Sequence, residues 1–187
     1  ISKIVISGKA PPFFNVGYVW DITDKIIYEH MYAKLISMIE DESLNDNIYP
    51  YESRYAQLKR NLCAHRLTYL LSENINLYLY EMVIYGGNRN IEPYYFLPFV
   101  PFLPIQTYLG DIDNDIISLG IDYKLNNQLN LYLNILIDEW TPPYTFQKNH
   151  KNWFIYQIGH ENNSLFFKKD RFMFEYTWSD YRVFRHR

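Results

Sequence analysis

Side chains that alternate between apolar and polar, in runs of about ten residues, constrain this chain more than any other feature. From Ile116 to Leu125 one set is Ile117, Leu119, Ile121, Tyr123 and Leu125, and the other is Ile116, Ser118, Gly120, Asp122 and Lys124. Successive residues of a strand point to opposite faces, so a period of two predicts a strand with one greasy side. Asn126-Asn127-Gln128 then supplies a short turn, since asparagine tolerates positive φ. The return run sets Leu129, Leu131, Leu133, Ile135 and Ile137 against Asn130, Tyr132, Asn134, Leu136 and Asp138. Two matched runs joined by a short turn predict an antiparallel hairpin.

The same unit recurs along the chain. Strands are expected over about 28–39, 64–71, 75–85, 116–125, 129–138, 153–160, 165–168 and 171–181. Turns are expected at Ser72-Glu73-Asn74, at Glu161 to Ser164, and at Lys168 to Arg171. The stretch from Tyr28 to Ile39 alternates weakly, and its pattern alone leaves an amphipathic helix open. In the last strand Phe172, Phe174, Tyr176 and Trp178 fall at every second position, which fits a lipid face better than a protein core. A long loop is expected over 86–115. Its Pro93, Pro98, Pro101 and Pro104 lack the donor that a central strand needs. Such an apolar loop is expected to fold against the strands, packing into a lumen or forming a rim.

Composition decides between a soluble sandwich and a membrane barrel. The 19 Tyr and 12 Phe bring aromatic content to 19 %, against 7 Gly. Tyrosine has an apolar ring and a polar tip, and membrane interfaces hold it in girdles. Mean hydropathy is −0.30, and no run of about 18 apolar residues exists, which excludes a spanning helix. A barrel tolerates that average because only alternate residues meet lipid. The fold class expected is therefore all-β, an antiparallel transmembrane β-barrel. Ile1 in place of methionine, and an end directly after an alternating run, are expected of a truncated piece of a longer protein.

Chemistry-bearing motifs are sparse. The 18 basic and 21 acidic residues give −3 without a basic block, so nucleic acid is not an expected partner. The single Cys63 excludes an internal disulfide framework, and His30, His65, His150, His160 and His186 show no metal-binding spacing. Asp111, Asp113 and Asp115 resemble half a calcium loop but lack its Gly and distal Glu, so a capped loop is expected instead. No metal and no cofactor are expected. Glu81 and Glu175 form a conceivable glycosidase pair, with no spacing to fix their separation. The alternative is a lumen network in which Glu81, Asp122, Asp138 and Glu175 pair with Arg66, Lys124 and Arg171. For sugar contacts, Arg89, Tyr94, Tyr95, Phe96, Tyr108, Asp113 and Asn114 offer aromatic faces and hydroxyl partners in or beside the long loop.

Several segments, in order, resemble the Wzi-type capsule-assembly family of outer-membrane barrels. They are His65-Arg66-Leu67 leading to Glu81-Met82-Val83-Ile84-Tyr85-Gly86; Tyr95-Phe96-Leu97-Pro98 followed by Asp113-Asn114-Asp115; Leu131-Tyr132 to Ile137-Asp138-Glu139; and Glu175-Tyr176-Thr177. The likeness covers roughly residues 60–187 and departs from the family in the proline-rich Phe99 to Pro104. It implies a barrel of about eighteen strands, of which this chain supplies fewer than half. It also implies a non-enzymatic role in assembling or attaching capsular or related exopolysaccharide at the surface of a Gram-negative cell. The implied partners are that polysaccharide and outer-membrane lipid, with the barrel monomeric. Candidate polysaccharide or lumen residues are Arg66, Glu81, Tyr85, Arg89, Tyr94, Tyr95, Asp113, Asn114, Asp138 and Glu175. Rival readings are a carbohydrate-active hydrolase, a passive porin or transport barrel, and a soluble all-β binding domain.

Overall fold

A computed structural model describes residues 12–40, 55–86, 89, 91–110, 112–139, 143, 147, 152–164, 167 and 170–183. The strands are β1 (Phe14–Thr23), β2 (Ile26–Glu40), β3 (Tyr55–Ser72), β4 (Ile75–Tyr85), β5 (Asn114–Lys124), β6 (Leu129–Glu139), β7 (Trp153–Asn163) and β8 (Arg171–Ser179). They make one eight-stranded antiparallel sheet in sequence order. Among the described residues it does not close, and β1 and β8 are its free edges.

Most expected strands appear, several of them longer than expected. The open choice over 28–39 resolves to strand β2, because both β1 and β3 pair with it. β1 is an addition that the sequence reading overlooked. Of the short strand expected at 165–168 only Phe167 is described, and it lies in a bend; β7 runs on to Asn163, and Ser164 N–H donates to Asp170 O at 2.9 Å. Residues 165, 166 and 168 of that expectation lie outside the described residues. The long loop carries a 3-10 turn, Pro93–Phe96, and a short helix α1, Phe102–Tyr108.

Short side chains fasten the tight turns. Thr23 Oγ1 accepts from Lys25 N–H (3.2 Å) and Ile26 N–H (3.1 Å), and Asn126 Oδ1 accepts from Gln128 N–H (2.8 Å) and Leu129 N–H (2.9 Å). One end of the sheet carries only brief connections, at 24–25, 73–74, 125–128 and 164–170. The long connections, 41–54, 86–113 and 140–152, all leave from the opposite end.

The register sorts side chains onto two unlike faces. One row runs Trp20, Tyr28, Leu67, Leu79, Leu119, Ile135, Tyr156 and Trp178 across all eight strands. The next runs Tyr69, Leu77, Ile121, Leu133, Ile158 and Tyr176. No described layer covers the β5–β8 part of this apolar face: Ile158 is 55 % exposed, Phe174 55 % and Tyr176 57 %. The opposite face is polar near the tight turns. Toward the long connections it becomes a buried apolar cluster that includes Ala33, Leu62, Ala64, Met82, Ile116 and Leu136. A second buried cluster lies on the apolar face at the same end, where Tyr95, Phe102 and Ile105 of the loop cover Tyr32, Cys63, Val83 and Tyr85.

Two glycines shape the polar face. Tyr78 lies over its cross-strand partner Gly120, and Tyr132 lies over its partner Gly159. A Cβ at either glycine would occupy the tyrosine ring's place. The ring in turn shields backbone that glycine leaves bare. Gly120→Val therefore expels Tyr78 and lowers unfolding free energy by about 1–3 kcal/mol, read by urea titration in detergent. Unchanged stability would show that the ring does not need that space.

Candidate functional site

The polar face near the tight turns holds a trough of about 350 Å³. Alternation builds it: Asn76 and Tyr78 on β4, Asp122 on β5, Asn130, Tyr132 and Asn134 on β6 and Gln157 on β7 all point to one side. Tyr78 O–H reaches across Gly120 and donates to Asn134 Oδ1. Asn134 Nδ2 donates to Gln157 Oε1 at 2.8 Å, and Gln157 Nε2 to Thr177 Oγ1 at 3.3 Å. One hydrogen-bonded row thus ties β4 to β8 through residues that pair in register. The row beside it repeats the device: Tyr132 O–H spans Gly159 and donates to Glu175 Oε2 at 2.6 Å.

Two charges of the trough have ion-pair partners beside it. Arg66 pairs with Glu29 at 2.5 Å, donates to Thr68 Oγ1 at 3.1 Å, and lies 5.8 Å from the centre of the Tyr78 ring. Arg171 pairs with Glu161 at 2.7 Å. Amides, phenols, carboxylates and a guanidinium in one recess suit a ligand rich in hydroxyls, because each group type can donate to or accept from them.

Most of the other candidates gather on the apolar face beneath the long loop, but Asn114 pairs with Ile84 on the opposite face and Asp138 lies beyond Leu136 on β6. Arg89 Nη1 donates to Asp113 Oδ2 at 3.0 Å, Nη2 donates to Oδ1, and Tyr95 O–H donates to Oδ2 at 2.6 Å. The hydrogen bonds to Asp113 raise the Arg89 pKa and keep it charged. Burial first, then the same carboxylate, pushes the Tyr95 phenol up. Tyr85 stacks near Tyr95 at 5.2 Å and accepts from Glu92 N–H at 3.0 Å. These contacts fasten the loop. Tyr94 is exposed against Tyr108 at 5.7 Å, Asn114 is half-buried at the start of β5, and Asp138 is buried toward the end of β6.

Glu81 corrects two expectations. It lies on the face of Leu79 and Val83, opposite to Arg66, Asp122 and Glu175, so the expected single network does not form. Its partner is His65, whose Nε2–H donates to Oε2 at 2.8 Å, while Leu103 N–H donates to Oε1 at 3.2 Å. Glu81 and Glu175 are also parted by three strands, so they cannot flank one glycosidic bond, which needs carboxyls roughly 5–9.5 Å apart. The expected acidic loop gives Asp113 to Arg89 and Tyr95, and Asp111 lies outside the described residues. Among the described residues no three or more His, Cys, Asp and Glu are placed to hold a metal ion.

Sequence reasoning passed over Tyr78, Asn130, Tyr132, Asn134 and Gln157 as site residues. Each is unremarkable alone, and the signal that finds them is their common parity once the hairpins are in register. Among the described residues no helix is long and apolar enough to cross a membrane, which does not bear on strands. Comparisons with protein families, with curated proteins and with solved structures find no match.

Proposed function

We propose that this chain is a wall section of a larger outer-membrane β-barrel of about eighteen strands that holds a capsular or related surface polysaccharide, without catalysis, in the polar trough. The observation that carries the membrane part is the apolar face, continuous in register from β1 to β8, uncovered over β5–β8 and backed by polar residues near the tight turns. Lipid-facing and lumen-facing residues alternate in this way in outer-membrane barrels, which also have short turns at the periplasmic end and longer loops outside. The segregation of connection lengths to opposite ends matches that asymmetry. The polysaccharide part is supported by the hydroxyl-matching trough and by the ordered likeness to capsule-assembly barrels.

Asn76 and Asn130 line the trough and make none of the hydrogen bonds described for its rows. Replacing both by Ala in the full-length protein should leave the barrel heat-modifiable on gels. Each lost hydrogen bond costs about 1 kcal/mol, so affinity for the cell's purified surface polysaccharide should fall by roughly tenfold or more. Cell-bound polysaccharide should decline and shed polysaccharide rise. A folded double variant that retains its glycan at the wild-type level would remove the trough from this role.

A further inference from the structure

We propose that the 93–110 segment is an interfacial membrane anchor, seated at the boundary between hydrocarbon and headgroups outside the wall; this rests on the barrel reading. The segment contains no Asp, Glu, Lys, Arg or His over its whole length. Yet it is not a core segment, for it turns apolar side chains outward: Tyr94, Leu97, Phe99, Leu103 and Tyr108 are all exposed, Tyr108 by 75 %.

Its position makes lipid the fitting partner. The loop lies on the apolar face, with Phe99 4.5 Å from the Tyr28 ring and 5.6 Å from Trp20, both members of the apolar row that reaches Trp178. The loop's outer surface therefore continues the strip that meets hydrocarbon. It also solves a problem for that face. His30, His65 and Glu81 stand in one register row beside the apolar band, where bare charge or polarity would be costly in hydrocarbon. Phe102 packs on His65 at 4.3 Å, Phe96 on His30 at 5.9 Å, and Leu103 N–H binds Glu81. All three polar residues are buried as a result. An uncharged roof over polar groups, at the edge of an apolar band, lets the band extend to its rim.

Depth follows from backbone chemistry. The stretch 97–101, between the 3-10 turn and α1, has no regular hydrogen-bonded structure, and such backbone is not tolerated in the hydrocarbon core. Aromatic residues favour the interface, where ring and hydroxyl each find a suitable medium. The anchor thus sits shallow.

The test uses nitroxide labels on the full-length protein in phosphatidylcholine vesicles, at Leu97→Cys, Ile158→Cys in the band, and Gln128→Cys in a tight turn. Collision with oxygen reports lipid, and collision with a nickel chelate reports water. The label at 97 should favour oxygen over nickel several-fold more than the label at 128, and less than the label at 158. If 97 matches 128 while 158 stays shielded from nickel, the anchor is wrong and the barrel stands. If 158 also meets nickel freely, the barrel reading fails with it. Shielding of 97 from both reagents would assign the surface to further polypeptide and overturn the proposal. Immobilisation of a water-exposed label at 97 by added dextran would make it a sugar platform, and would overturn it equally.

Discussion

On the proposed barrel reading, replacing Leu133 by arginine lowers the unfolding free energy in phospholipid vesicles by about 2–4 kcal/mol, the cost of a basic side chain facing the middle of a bilayer. Leu133 stands between Ile121 and Ile158 in its register row and is 40 % exposed. On a soluble protein such a partly exposed position would tolerate the change within about 0.5 kcal/mol. The size of the effect therefore separates lipid from water as the neighbour of this face. Gln128→Arg, in the turn at 125–128, serves as the control and changes little. Denaturant titration of the vesicle-bound protein, followed by tryptophan fluorescence, gives both numbers. A neutral Leu133→Arg would mean that water, not hydrocarbon, touches the apolar rows.

His65→Leu has a comparable effect, about 1–3 kcal/mol, because it leaves the buried Glu81 carboxyl without the imidazole N–H that it accepts from. Glu81 is 4 % exposed, and the loop's Leu103 N–H and the Asp115 carboxyl are then its remaining hydrogen-bond partners. The physical cause is desolvation: a carboxylate taken from water without compensation is costly, and its mate's removal exposes that cost. Removing both polar side chains has the opposite logic. The double variant His65→Leu with Glu81→Leu should regain most of the loss, since apolar side chains suit a site roofed by Phe102 and Phe96. A double-mutant cycle in detergent measures the coupling. Additive losses would show that the pair does not act as a unit.

The strands were legible where alternation was clean. Runs such as 75–85 and 129–138 could be placed within a residue because a half-apolar strand writes its period into the chain. β1 was equally regular in Val16, Tyr18, Trp20 and Ile22, but Val19 interrupts its other face and blurs the pattern. Sidedness was harder. Glu81 was expected opposite to the apolar band because charge avoids lipid, and a local pattern cannot reveal that a loop some twenty residues downstream roofs it. The loop's proline content forbade a strand but did not announce α1, whose start at Phe102 depends on packing against His65 and Tyr95. The trough was hidden for another reason. Tyr78 meets Asn134 over a glycine on the strand between them, and only register brings such distant positions into line.

On the proposed barrel reading, the free rims of β1 and β8 impose an arithmetic on the strands that would complete the wall. An antiparallel meander reverses direction at each step, so an even set begins and ends with strands that oppose one another. The rims can meet directly, or be bridged by consecutive up-and-down strands, without a parallel seam only when the insertion is none or an even number. An odd insertion would force one like-directed pair somewhere on the circumference. Parity, a property no single residue carries, therefore limits what the remainder of such a barrel could be.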